Sequence, residues 1–234
     1  MQIQTAAEGL APEYYRSIKK LSNKQNALTI ADYLASMKSE TNLSDNYRKS
    51  IIKITSKFSA YCKNRPFKSV TRKDFLSYLN CVRKSEKDDP MHKWIGTYNY
   101  YNTILTKFFR WLYNPDMSSN TRPKPPVVEN IPLLKRREVS IYKPTDLWTE
   151  ADDLLFLKYC PSKRIKCYHT VSRDSSCRPN EILKLKVRDI VFKLTPDKTK
   201  QYAEVLVNGK TGTRSIPLFD SIPYVKDYLD HEHP

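Results

Sequence analysis

Acidic residues are the scarce class in this chain. Asp and Glu number 25 against 41 Lys and Arg over 234 residues, a formal net charge of +16 and a pI near 9.5. Such a deficit points to a polyanionic partner. Nucleic acid is the usual one, and a ribosomal or membrane-surface protein shares the signature. Long apolar runs are also missing: no stretch approaches the roughly 20 residues needed to span a bilayer. The first ten residues lack a basic segment followed by an apolar core, which excludes a secretory signal there. A cytoplasmic protein with no membrane partner is the expectation. Cysteine pairs at metal spacing are absent as well. The five cysteines stand at 62, 81, 160, 167 and 177, with no Cys-x-x-Cys among them. Cys160, Cys167, His169 and Cys177 cluster but match no zinc pattern. Neither metal nor cofactor is therefore expected, and the thiols read as free and buried in helices. Glycine is rarer still, four residues in all, two of them at 209 and 212.

What is present divides the chain in two. Residues 1–25 read as a polar, partly ordered leader. Four helical patterns follow over 26–113. The first runs from about Thr29 to Lys38, with Ile30, Tyr33, Leu34 and Met37 on one face. The second starts after Ser44, a good N-cap, and carries Tyr47, Ile51, Ile54, Phe58 and Tyr61 at the 3–4 spacing of a buried stripe. The third opens with Thr71 as cap and Asp74 three residues on, and Val70 and Phe75 can staple that start. The fourth runs from about Met91 to Tyr113, with Trp94, Tyr98, Tyr101, Leu105, Phe108 and Leu112 on one side. Six of the fifteen prolines fall in 114–148, which reads as an extended linker. A second region, 149–234, begins where Thr149 caps a helix and ends with a small sheet and a helix near Ile222–Asp230. The fold class expected is mainly α with a small antiparallel sheet.

Two motifs carry chemistry. In Cys177-Arg178-Pro179-Asn180-Glu181-Ile182-Leu183-Lys184-Leu185-Lys186-Val187-Arg188-Asp189-Ile190, Pro179 suits the first helical position. Arg178 would then stand at a helix start, where unpaired N–H groups favour anions, with Glu181 one turn on to orient it. Downstream, Tyr202 to Leu218 forms two β-rich runs around Asn208-Gly209-Lys210, and Asn-Gly is a strong hairpin signal. Lys210 would sit exposed at the tip.

The first motif resembles the first arginine box of the tyrosine recombinase (phage integrase) family, filled here by Arg178, Glu181, Ile182, Leu185, Asp189 and Ile190. Ser176 departs from the glycine usual two residues before that arginine. The hairpin resembles the family's lysine-bearing turn. The resemblance implies a helical, SAM-like core-binding domain, then the first part of the mixed α/β catalytic domain. It implies catalytic roles for Arg178 and Lys210, Lys210 as general acid to the leaving 5′ hydroxyl, with Glu181 in support. It also implies double-stranded DNA at a recombination site as partner, self-association on DNA, and a nucleoid-associated location. The chemistry implied for the complete enzyme is DNA breaking and rejoining through a 3′-phosphotyrosyl intermediate. The His-x-x-Arg box and nucleophilic tyrosine of that family do not appear before Pro234, so the chain as given is expected to be inactive alone.

The DNA-facing surface expected from charge centres on Lys49, Lys53 and Lys57, spaced i, i+4 opposite the second helix's apolar stripe, with Arg48 beside them. Lys93, Lys107 and Arg110 on the fourth helix and Arg214 on the hairpin complete the set. Such residues would contact phosphates, which position without reading sequence. Two other readings stay open: a DNA-binding module derived from an integrase that occupies sites without catalysis, and a basic RNA-binding protein.

Overall fold

Two units divide the chain in the computed structural model, Met1–Ser140 and Ile141–Pro234, and the described residues are 9–41, 43–137, 143–209 and 212–233. The described residues are mainly helical with a small antiparallel sheet, as the sequence predicts, and that sheet has three strands.

Among the described residues, the α-helices of unit 1 are α1 (Pro12–Lys19), α2 (Lys24–Glu40), α3 (Asp45–Tyr61), α4 (Arg72–Asn80) and α5 (Trp94–Tyr113). Their starts follow local chemistry. Asn23 accepts from the Gln25 and Asn26 amides, and Ser44 accepts from the Tyr47 amide. Thr71 and Asp74 form a reciprocal capping box, with Val70 and Phe75 both buried around it. The core gathers on Phe58, whose ring lies 5.1–6.4 Å from those of Tyr78, Phe109, Phe75 and Phe67. Burying such a ring stabilises by about 1.5–3 kcal/mol through area alone. Asn26, fully buried, joins α2 to α3 and the following turn. It donates to Ser59 Oγ and the Arg65 carbonyl and accepts from the Phe67 amide.

Three sequence expectations need correction here. The leader read over 1–25 contains α1, whose Ile18 is completely buried and whose neighbour Leu21 is nearly so. A single apolar residue per turn was too weak a pattern to reveal it. The linker read over 114–148 is mostly part of unit 1. Val127 and Val128 are in its core, Arg122 is 3 % exposed, and Asn99 exchanges two 2.8 Å hydrogen bonds with the Leu134 backbone. Proline richness sets an extended path, but side-chain partners fix that path to a surface. The cysteines also differ from buried helical thiols: Cys62 and Cys177 are buried but just outside helices, Cys81 is exposed, and Cys160 and Cys167 are half-buried.

Unit 2 consists of α6 (Glu150–Tyr159), α7 (Lys163–Ser175), a single turn α8 (Pro179–Ile182), strands β1 (Ile190–Leu194), β2 (Gln201–Gly209) and β3 (Gly212–Leu218), and α9 (Ile222–His231). The sheet order is β1-β2-β3. Alternation puts Ala203, Val205 and Val207 on one face of β2, against Val171, Ile182, Leu218, Ile222 and Val225. Carboxylates pin the helices. Asp174 accepts from the Phe219 and Ser221 amides and the Ser221 hydroxyl, and Glu232 accepts from the Lys163 and Arg164 amides at the start of α7. Among the described residues, no helix is long and apolar enough to cross a membrane.

Candidate nucleic-acid interface

The end of α7 aims the chain into the arginine motif. Ser176 takes a left-handed conformation, φ 51° and ψ 25°, at the helix C-cap. That explains why glycine would be favoured there, since a side chain is strained in this region. Arg178 is then extended and precedes α8, with Pro179 in the first turn. Helix α8 is one turn long, and the Arg178 N–H donates to Glu181 Oε2 at 3.1 Å instead of pointing outward.

Glu181 is the centre of the site. Its side chain is 5 % exposed and receives four hydrogen-bonding groups. Besides the Arg178 amide, Arg178 Nη1 donates to Oε1 at 3.1 Å, Arg214 Nη2 to Oε2 at 2.8 Å, and Arg214 Nη1 to Oε1 at 3.5 Å. The Arg214 guanidinium first, then the Arg178 amide, hold the Glu181 carboxyl down at about 2. One carboxylate therefore carries two arginines and leaves the group with a net positive charge. Arg178 is 64 % exposed and Arg214 39 %. Arg178 thus has donors facing solvent, while its backbone and one Nη are fixed from below.

The hairpin supplies the room. Gly209 pairs with Gly212 across β2 and β3. A Cβ on Gly209 would lie 2.1 Å from Glu181 Oε1, so only glycine lets the carboxylate approach this strand. The Asn-Gly signal placed a turn at 208–209; instead both residues continue β2. The register that buries Val205 and Val207 carries pairing on to Gly209, and register follows the buried face. Lys210, assigned to the hairpin tip, lies outside the described residues.

Of the cations assigned to DNA on unit 1, Lys53, Lys57, Lys93 and Lys107 are exposed. Lys49 is half-buried, its Nζ 5.7 Å from the Tyr14 ring centre. Arg48 is a correction: it is 7 % exposed and bonded to Asp45 at 3.1 Å, because its position falls on the core side of α3. Arg110 is half-buried and donates to the Arg122 and Asn120 carbonyls, which ties down the 115–122 segment. Arg214 contacts Glu181 as described, so its first role is to position that carboxylate.

The structural role of Arg214 has a signal in the sequence. Arg214, Ile216 and Leu218 share one strand face, and an arginine in the core-facing phase calls for a buried carboxylate. No protein-family model, curated protein or solved structure matches this chain.

Proposed function

We propose that this protein binds duplex DNA as a tyrosine-recombinase-like protein. Unit 1 is its core-binding domain, and unit 2 is a catalytic-type domain that presents Arg178 to a backbone phosphate. The observation carrying this reading is the exposed Arg178 guanidinium, held through its backbone and side chain by buried Glu181. An arginine so fixed matches a phosphate oxygen pair without ordering itself on binding. Charge supports the same reading. Of the +16 net charge, +13 falls in residues 1–140 and +3 in 141–234, so non-specific attraction to DNA resides in unit 1.

Fluorescence anisotropy with a labelled duplex over a salt series tests it. Lys53→Ala with Lys57→Ala should lower the slope of log affinity against log salt by about two, one for each phosphate no longer neutralised. Lys49→Ala should have a smaller effect, because its amine already lies over Tyr14. An unchanged slope in the double variant removes α3 from the interface. A nicked suicide duplex, resolved on denaturing gels, is expected to give no covalent protein–DNA band with this chain; a band would exclude the site-occupying module.

A further inference from the structure

A cavity in unit 1 takes no part in the cluster around Glu181. It lies between α2, α3, α5 and the 115–122 segment and measures about 320 Å³. A bare tetrahedral oxyanion would leave most of it empty, since one water needs only about 10–15 Å³ on this measure. The floor is apolar, formed by Tyr33, Met37 and Leu43. Tyr33 is 1 % exposed and fixed by Phe108 and Trp111, with ring centres 5.3 and 5.2 Å away. The charge on the walls has one sign among the described residues: Lys107, Arg110 and Arg122 line the cavity, and no carboxylate does. Glu40 neutralises Arg122 from outside the cavity at Nη2, which also donates to the Pro115 carbonyl, while Nε donates to the Asn114 carbonyl. Among the described residues, Lys107 and Arg110 form no ion pair with a carboxylate. Lys107 Nζ lies 3.5 Å from the Tyr47 hydroxyl, and Arg110 meets only carbonyls. Two cations one helical turn apart repel each other unless an anion sits between them.

We infer that this cavity binds a nucleotide phosphate. The phosphate lies between Lys107 and Arg110 at the mouth, and the base lies on the apolar floor. Three apolar side chains beside convergent cations and hydroxyl and amide groups give the mixed lining that a nucleotide, part aromatic and part anionic, requires. The ligand is either a free mononucleotide or a nucleotide of a bound strand, and the chemistry is the same for both. This inference does not rest on the recombinase reading.

Calorimetric titration of the full chain with adenosine 5′-monophosphate, adenosine and inorganic phosphate tests it. The monophosphate should bind about tenfold or more tighter than either half alone, the contribution of one charge-assisted hydrogen bond. Lys107→Met should weaken the monophosphate about tenfold, leave adenosine unchanged and keep the melting temperature, because Lys107 is exposed and holds no backbone group. Prior addition of a short duplex distinguishes the sources: displacement assigns the phosphate to a strand, and simultaneous binding assigns a free nucleotide. If the duplex does not bind at all, the recombinase reading fails and the monophosphate result stands by itself. The inference is overturned if the monophosphate binds no tighter than adenosine or phosphate, or if Lys107→Met has no effect.

Discussion

Glu181 links chemistry and stability at one residue. Its carboxyl is held at about 2 instead of its usual 4.5, chiefly by Arg214. A carboxylate with a depressed pKa stabilises the fold above its unfolded value, and that contribution is lost as pH falls through its folded value. Unit 2 should therefore lose stability between about pH 4.5 and 2, and Glu181→Gln should remove that component of the acid profile followed by circular dichroism. If the variant and parent profiles coincide, the carboxylate is not charged in the fold. Gly209→Ala should act on the same contact from the other side. Its methyl would displace Glu181 Oε1, so Arg178 loses its support although no charged atom has been deleted. Ser176→Gly is expected to stabilise by about 0.5–1 kcal/mol, since glycine takes the left-handed cap without steric cost. A denaturant midpoint lower than the parent's would contradict the left-handed geometry.

At the scale of elements, Arg48 gives the sharpest contrast with the lysines beside it. Arg48→Met should lower stability by roughly 1–2 kcal/mol, because a buried ion-pair partner is removed, and leave the salt slope of DNA binding unchanged. A reduced slope would return it to the interface. Helices with a full apolar stripe were legible in the sequence, and so were their caps at Ser44, Thr71 and Thr149, because spacing and capping act locally. A small antiparallel sheet was legible from the β-rich runs around Asn208-Gly209, though not its strand pairing. Helix α1 was hidden, since only Ile18 of its eight residues enters the core. Helix α6 was found by its cap, but its orientation was not readable. It buries Asp153 against His169 and Arg173 and leaves Leu154 and Leu155 about 60 % exposed. Nothing in Glu150-Ala151-Asp152-Asp153-Leu154-Leu155 announces that inversion, because the ion partners lie on α7. In the candidate site, Arg178 and Glu181 could be read together from their i, i+3 spacing. Arg214 and Gly209 reach the same carboxylate through strand pairing, which single-sequence spacing does not encode.

The whole molecule sets a large aromatic core against a small aliphatic one. Unit 1 buries Tyr33, Phe58, Phe67, Phe75, Phe108 and Phe109 among many aliphatic residues, whereas the hydrophobic core of unit 2 has nine buried residues, none aromatic, among those described. The fraction of surface buried falls as domains become smaller, so the smaller core should yield first. Unfolding in urea should show two transitions, with unit 2 at the lower midpoint. Tryptophan fluorescence separates them, since Trp94 and Trp111 belong to unit 1 and Trp148 to unit 2. The Trp148→Phe variant should lose the early transition in fluorescence and keep it in circular dichroism. DNA then discriminates between the units. With most of the net charge in unit 1, a duplex at about 100 times its dissociation constant should stabilise that unit by about 2.7 kcal/mol, by mass action. The later transition should move to higher urea and the early one stay nearly fixed. Raising salt should reverse the shift, because phosphate contacts release counterions. A single transition that moves as a whole with DNA would mean that the two units unfold as one and that the charge division does not decide where the duplex binds.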